Sequence, residues 1–239
     1  MIGVYCFSRS LYGQIKPSLC SLLTNAKPEK VYLMLEDDRF DAFELPQNVE
    51  VVKVRYLDYF RPNCQNMYGF HYMALMKQTI SKYIKEPKAL MLDPDTIILD
   101  DLKDLWNTDL EGKWYAAVPE YKGNQHAYGP IYYNAGVVLW NLEQVRQDGF
   151  ADRVIHLLNT KKMWLTEQDA MNELKEDKAV TLPVRYNESF CCGETVNPAI
   201  IHYAGIQDWY TRRNMKRREY LDEWIGRDFP ENPLQKKAN

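Results

Sequence analysis

The chain has few cysteines and no long apolar run. Its 239 residues include five cysteines, and none of them falls in a C-x-x-C pattern. This set excludes a disulfide framework and the common zinc-binding spacings. No stretch of about 18 or more apolar residues occurs, and no charged leader precedes an apolar segment at the start. We expect a soluble, reduced, cytoplasmic protein.

An excess of charge of one sign is also lacking. The sequence holds 30 Lys and Arg against 33 Asp and Glu, a net charge of −3, which argues against nucleic acid as a partner. A hydrophobic content of 46% is typical of globular proteins. Because no repeat, low-complexity tract or Ser/Gly-rich linker is present, we predict one α/β domain over residues 1–208 and a basic, aromatic tail over residues 209–239.

Short apolar runs alternate with helical patterns along the domain. This alternation predicts an α/β fold whose ligands bind beyond the carboxyl ends of the strands. We predict strands over 2–7, 31–35, 49–54, 89–92, 114–118, 131–140, 179–184 and 199–203, and helices over 15–25, 70–84, 142–159 and 167–176.

Two polar motifs follow predicted strands. Asp93 and Asp95 form a D-P-D turn after the apolar run 89–92. Hard cations such as Mn²⁺ and Mg²⁺ prefer carboxylate oxygens, although two solvated acids in a turn would look the same. His202 closes the apolar run 199–201, where it would suit Mn²⁺ better than Mg²⁺ or would be a satisfied structural residue.

Three further positions have both a functional and a structural interpretation. The Asn134 and Gly136 pair allows the backbone to approach a ligand, or marks a β-bulge. Thr166 can cap the helix that begins near Glu167, which would explain that motif without a ligand. Lys77 lies at the edge of an apolar helical stripe, where its ammonium either meets an anion or reaches out to water.

Together these motifs resemble glycosyltransferase family 8, the family of glycogenin and of bacterial lipopolysaccharide galactosyltransferases. The resemblance covers about residues 1–209 and is carried by SKYIKEPKALMLDPDTIILDDLKDLW from Ser81, YYNAGVVLWNL, TEQDAMN and IIHYAG. It implies a GT-A fold, which is a single Rossmann-like nucleotide-sugar-binding domain with a mostly parallel central sheet.

The same resemblance implies a metal-dependent hexosyltransferase that retains the anomeric configuration. Its donor would be a UDP-hexose, UDP-glucose or UDP-galactose, its cofactor Mn²⁺ or Mg²⁺, and its acceptor a glycan, a lipid-linked sugar or a protein. The implied metal ligands are Asp93, Asp95 and His202. The implied catalytic residues are Gln168 and Asp169, and the implied donor-binding residues are Ser8, Tyr12, Lys77, Asp93, Asn134, Ala135, Glu167 and Gly205.

The chain departs from the family pattern after His202. The K-P-W of the family is replaced by Gln207-Asp208-Trp209, so a lysine expected on the diphosphate is missing. The basic tail that follows, which includes Arg212 and Arg213, is a solvated helix, a weak contact with anionic lipid, or a replacement for that lysine. The competing hypothesis is a nucleotide-sugar or nucleotide binding protein without catalytic activity, against which the intact Gln168 and metal ligands argue.

Overall fold

A seven-stranded sheet forms the centre of the protein. The structure, a computed structural model, describes residues 1–37, 39–62, 64, 72–121 and 128–230. The strand order is β3-β2-β1-β4-β7-β6-β8, and β5 pairs with β9 in a separate two-stranded ribbon. The strands are β1 (Ile2–Cys6), β2 (Lys30–Leu35), β3 (Val49–Lys53), β4 (Lys88–Leu92), β5 (Thr96–Ile98), β6 (Tyr115–Pro119), β7 (Tyr133–Asn141), β8 (Ala179–Thr181) and β9 (Ile200–His202).

Helices cover both faces of the sheet, and a separate apolar core fills each side. They are α1 (Lys16–Ser21), α2 (Met73–Met76), α3 (Ile80–Tyr83), α4 (Lys103–Trp106), α5 (Leu142–Gln147), α6 (Phe150–Thr160), α7 (Thr166–Glu173) and α8 (Arg218–Trp224). Strands β1, β2 and β4 are buried almost throughout because both of their faces carry apolar side chains. Among the described helices, none is both long enough and apolar enough to cross a membrane.

One strand of the sheet runs against the others. Strand β7 is antiparallel to both of its neighbours, β4 and β6, whereas the remaining pairs are parallel. The register pairs Leu92 with Val137, so the first residues of β7 lie beside the carboxyl end of β4. The Asp93 amide donates to the Gly136 carbonyl over 2.7 Å and fixes this junction. The predicted strand 131–140 is confirmed in position, and its direction explains why its first residues reach the same edge as the D-P-D turn.

The β5–β9 ribbon brings the end of the domain back to that edge. Thr96 pairs with His202, and the Tyr203 amide donates to the Asp95 carbonyl over 2.9 Å. Strand β5 is absent from the predicted strands because its run of three residues follows the D-P-D turn directly. The ribbon therefore places a histidine from residue 202 beside a carboxylate from residue 95.

Two predicted helices are interrupted. Residues 70 and 71 of the predicted helix 70–84 lie outside the described residues, and the rest divides into α2, a 3₁₀ turn (Lys77–Thr79) and α3. The predicted helix 142–159 divides into α5 and α6 at Gly149, whose φ of 64° is left-handed. The prediction that Thr166 caps α7 is wrong, since Thr166 is the first residue of the helix and has a φ of 44°.

Residues 209–230 of the predicted tail pack on the domain. Trp209, Leu221 and Trp224 are buried in an apolar cluster with Ile97 and Tyr203. Arg218 is buried as well and donates to the carbonyls of Trp209, Tyr210 and Arg212, which closes the segment on itself. Residues 231–239 lie outside the described part of the chain.

Candidate functional site

A cavity of about 340 Å³ lies at the edge where β1 and β4 end and β7 begins. Open α/β sheets bind their ligands at this edge. Ten of the residues predicted from the sequence line it: Ser8, Lys77, Asp93, Asp95, Asn134, Ala135, Glu167, Gln168, His202 and Gly205.

The three predicted metal ligands converge in this cavity. One ligand atom from each of Asp93, Asp95 and His202 lies within 4.8 Å of the other two. His202 Nε2 is 3.3 Å from Asp95 Oδ1 and 3.8 Å from Asp93 Oδ2. The imidazole lies directly against Gly136, where a Cβ atom would come within 2.1 Å of His202 Cε1. The glycine of the N-A-G-V motif therefore makes room for the His202 ring.

The side chains of Asp93, Asp95 and His202 affect one another's pKa values. Burial raises the pKa of Asp93 above its ordinary value, against the opposing effect of the Lys77 ammonium. Burial also disfavours the charged form of Asp95, but His202 outweighs it and holds the Asp95 pKa below its ordinary value. Burial lowers the pKa of His202, but Asp95 more than compensates and raises it. The imidazole thus shifts the pKa of both carboxylates, and both carboxylates shift the pKa of the imidazole.

The donor set fits a divalent cation. Two carboxylates are hard oxygen ligands, and an imidazole is a ligand that Mn²⁺ accepts more readily than Mg²⁺. The Asp93 and Asp95 side chains are 23% and 19% exposed, so both remain accessible from the cavity. Asp93, Asp95 and His202 are accordingly the residues that would hold the ion.

Lys77 is buried between two carboxylates. Its Nζ lies 3.0 Å from Asp93 Oδ1 and 2.8 Å from Glu167 Oε1. Burial acts to lower the pKa of Lys77, but the two carboxylates outweigh it and raise that pKa above its ordinary value. The ammonium that the helical pattern placed at the edge of the apolar stripe therefore stays charged and meets anions rather than bulk water.

Gln168 is held by four hydrogen bonds. Its Oε1 accepts from the Ala135 amide over 2.8 Å and from Asn134 Nδ2 over 3.2 Å. Its Nε2 donates to Glu120 Oε2 over 2.9 Å and to the Tyr132 hydroxyl over 3.2 Å. These bonds use both donors and both lone pairs of the amide, so its orientation in the cavity wall is fixed.

Two other predicted site residues do not line the cavity. Asp169 is fully buried and accepts hydrogen bonds from the Tyr132 hydroxyl and from the amides of Trp164 and Leu165. It therefore holds the turn that precedes α7. Tyr12 packs on Phe40 with ring centroids 4.9 Å apart and donates to Asp37 over 3.2 Å, outside the lining.

Sequence reasoning missed two polar residues of this network. Glu120 lines the cavity and accepts from Asn134 and Gln168, and Asn187 Oδ1 lies 2.8 Å from His202 Nδ1. Glu120 directly follows β6, and Asn187 follows a 3₁₀ turn (Val184–Tyr186). A polar residue next to an apolar run was the only signal for either position, and many surface residues share it.

A second cavity, of about 410 Å³, adjoins the first. Its wall includes His202, Ala204 and Gly205, which line both cavities, and Arg212 from the basic segment. Arg213 lies elsewhere, with its NH1 4.0 Å from Asp222 Oδ1. The two adjacent arginines therefore face different surroundings, and only Arg212 lies beside the cavity that holds the ligand cluster.

Comparison with known proteins places the chain in a family. The sequence profile described as Glycosyl transferase family 8 matches residues 32–209. Glycosyltransferase GlyA of Streptococcus pneumoniae is 26% identical over 186 residues, which are 69% of this chain and 26% of GlyA. Glycosyltransferase GlyB of the same organism is 25% identical over 227 residues, which are 80% of this chain and 55% of GlyB. The chain thus spans about a quarter and about half of these two relatives.

Solved structures share the fold over nearly the whole chain. The galactosyltransferase LgtC, in complex with donor and acceptor sugar analogs, gives a TM-score of 0.77 at 20% identity and covers 97% of this chain and 98% of its own. GlyE of Streptococcus pneumoniae gives 0.74 at 23% identity and covers 95% of this chain and 60% of its own. The chain belongs to glycosyltransferase family 8 and has the GT-A fold, which confirms the family and the fold predicted from the sequence.

Proposed function

We propose that this chain transfers a hexose from a UDP-sugar to an acceptor hydroxyl with retention of anomeric configuration. Its cofactor would be a divalent cation, Mn²⁺ in preference to Mg²⁺, held by Asp93, Asp95 and His202. The observation that carries the proposal is that this ligand cluster, the Lys77 ammonium and the fixed Gln168 amide share one cavity of about 340 Å³. A structural neighbour bound to donor and acceptor sugar analogs supports a sugar donor and a sugar acceptor.

The charges of the site suit a diphosphate leaving group. When bound, the cation would offset the negative charge that develops on the diphosphate as the glycosidic bond breaks. Lys77 adds a fixed positive charge and orients Glu167, whose carboxylate also accepts from the Thr166 hydroxyl. Glu167 thereby presents a carboxylate edge to the cavity, where it is suited to bind a hydroxyl of the donor sugar.

Gln168 would act on the anomeric carbon as a fixed dipole. Both lone pairs of its amide oxygen accept hydrogen bonds from Ala135 and Asn134, which makes an already weak nucleophile weaker. A covalent intermediate on Gln168 is therefore disfavoured, and we propose that the acceptor attacks from the side of the leaving group. Asp169 would serve as a positioning residue, because its carboxylate holds the turn before Gln168 and does not reach the cavity.

The remaining predicted contacts and partners also stay part of the proposal. Ser8 lines the cavity and Tyr12 lies just outside it, so we assign the nucleotide base to this end. The acceptor is a glycan, a lipid-linked sugar or a protein; a relative named lipopolysaccharide glucosyltransferase WaaO from Escherichia coli, 29% identical over 152 residues, supports the first two. Of the loop 120–130, residues 122–127 lie outside the described part of the chain. A contact between the tail and a membrane stays a prediction.

A donor-hydrolysis assay tests the proposal without an acceptor. The protein is incubated with UDP-glucose, UDP-galactose, a GDP-sugar and an ADP-sugar in the presence of Mn²⁺, and free hexose is measured. We expect release from a UDP-sugar, and we expect Gln168→Ala to lower the rate by roughly 100-fold or more while UDP affinity changes little. Gln147→Ala, a change of an exposed amide, serves as the matched control.

The assay also decides between the two candidate functions. If UDP binds in a Mn²⁺-dependent manner but no donor releases hexose, the chain is the non-catalytic binding protein. If Gln168→Ala loses donor affinity and turnover equally, Gln168 only positions the bound donor and the proposed role at the anomeric carbon is wrong.

A further inference from the structure

We infer that Asn187, which is outside the ligand set, fixes the ring tautomer of His202 and couples this metal ligand to the amides of Asn134 and Gln168. The coupling runs through one buried chain of hydrogen bonds. This inference deepens the proposed function and rests on it, because it gives the chain a role in holding the cation.

The chain of hydrogen bonds is anchored on the main chain. The Gly136 amide donates to Asn134 Oδ1 over 2.9 Å, and because a backbone N–H can only donate, it defines which Asn134 atom is the oxygen. Asn187 Nδ2 then donates to the same oxygen over 2.8 Å. The orientation of the Asn187 amide is therefore set by a backbone N–H two hydrogen bonds away.

The Asn187 oxygen in turn determines the state of the imidazole. It lies 2.8 Å from His202 Nδ1, so Nδ1 must carry the hydrogen that fills this bond. The lone pair of neutral His202 is then on Nε2, the atom that faces Asp93 and Asp95. A metal ligand whose second nitrogen is held in this way is both oriented and made more basic.

At its other end, the chain of hydrogen bonds reaches Glu120 and Gln168, in the part of the cavity that we assign to the donor sugar. Asn134 Nδ2 donates to Glu120 Oε2 over 2.8 Å and to Gln168 Oε1 over 3.2 Å. His202, Asn134 and Glu120 are each 5% exposed and Asn187 is fully buried, so water does not compete effectively for these bonds. A change at Asn187 therefore affects the metal ligand on one side and Asn134 on the other.

The main chain also holds Asn187 beside β9. The neighbouring residue Glu188 donates from its amide to the Ile200 carbonyl over 2.9 Å and accepts at its carbonyl from the His202 amide over 2.8 Å. Its side chain pairs with Arg217 Nε at 2.7 Å, which secures the segment from outside. Main-chain pairing of Glu188 thus sets the position of Asn187. The side-chain amide of Asn187 contacts Asn134 and His202.

Two substitutions of Asn187 distinguish its contact with His202 from its contact with Asn134. Asn187→Leu removes the acceptor for His202, and we expect the Mn²⁺ affinity of the protein to fall roughly 10- to 100-fold, measured by calorimetry without nucleotide. Asn187→Asp keeps an acceptor for His202 but places a second oxygen against Asn134 Oδ1. We expect it to bind Mn²⁺ nearly as well as the wild type and to lose donor hydrolysis. Asn159→Leu, which removes a side-chain amide bonded to Tyr59 and Arg61 away from the cavity, is the control.

The tautomer itself is measured on the metal-free protein. Long-range proton–nitrogen NMR at a pH where imidazoles are neutral reports the protonated nitrogen of each of the four histidines, and His202→Gln assigns the signal. We expect the Nδ1–H form in the wild type and in Asn187→Asp, and a mixture in Asn187→Leu. The Nε2–H form in the wild type, or unchanged Mn²⁺ affinity in Asn187→Leu, overturns the inference. If the wild type shows Nδ1–H but binds no Mn²⁺, the tautomer assignment holds and the proposed function fails.

Discussion

Replacement of Gly136 by alanine tests how closely the strands and the metal ligand are fitted. A Cβ at this position would lie 2.1 Å from His202 Cε1, 2.7 Å from Nδ1 and 2.8 Å from Nε2. Carbon atoms normally approach to about 3.5 Å, so the ring or the strand must move by more than an ångström. The ring is buried and bonded to Asn187, and the strand is tied to Asp93 through the Gly136 carbonyl.

The expected cost follows from this overlap. Overpacking a well-packed site costs about 1–3 kcal/mol, and we expect Gly136→Ala to lower the free energy of unfolding by that amount. Because the three atoms nearest to the added Cβ all belong to the His202 ring, we also expect Mn²⁺ affinity to fall by about tenfold or more. Urea unfolding and calorimetric Mn²⁺ titration measure the two effects. Gly13→Ala is the matched control, because a Cβ there meets no atom within 4 Å.

A double-mutant cycle identifies the side chain responsible. If the penalty comes from the imidazole, Gly136→Ala should cost almost nothing in stability when His202→Ala is already present. An equal cost in both backgrounds would show that the strand, and not the ligand, is strained. Wild-type Mn²⁺ affinity in Gly136→Ala would refute the close packing between Gly136 and His202.

Two further predictions concern basic side chains. Lys77→Met should lower the free energy of unfolding in urea by about 3–5 kcal/mol, because it leaves two carboxylates facing each other, and Mn²⁺ should restore part of that loss. The control, Lys82→Met, breaks an exposed ion pair and should cost about 0–1 kcal/mol. Equal costs in the two variants would contradict the role given to the buried Lys77. Arg212→Gln should weaken UDP binding in calorimetry, because of the two arginines only Arg212 lines the second cavity, next to Gly205. Arg213→Gln should leave UDP binding unchanged. The reverse result would exclude Arg212 as the replacement for the missing lysine.

The sequence predicted those parts of the site that depend on local pattern. The D-P-D turn follows a buried strand, and His202 ends another, so each motif could be placed at the end of its own strand. Helical periodicity placed Lys77 at the edge of the apolar stripe, and of the two interpretations left open there the anion contact is the one found, with Asp93 and Glu167. The order of these motifs along the chain identified the family.

The parts that the sequence did not predict depend on contacts between distant segments. Nothing local to residues 131–140 shows that β7 runs against its neighbours, since strand direction is set by pairing with β4 and β6. Asn187 and Glu120 both form hydrogen bonds with Asn134, which is 53 and 14 residues away from them. Asp169 is a local exception: its partners, the amides of Trp164 and Leu165, are only five and four residues away, but the turn that brings them to its carboxylate has no sequence signature.

The most direct test of the proposed function is a calorimetric titration of UDP into the wild type and into Asp95→Asn, each with Mn²⁺ and with a chelator. Asp101→Asn, a change of an exposed acid in the following turn, is the control. A diphosphate in a cavity lined by carboxylates should be repelled unless a cation is present. We therefore expect tight binding only with Mn²⁺, and only in the wild type and Asp101→Asn. Unchanged affinity and unchanged metal dependence in Asp95→Asn would contradict the account.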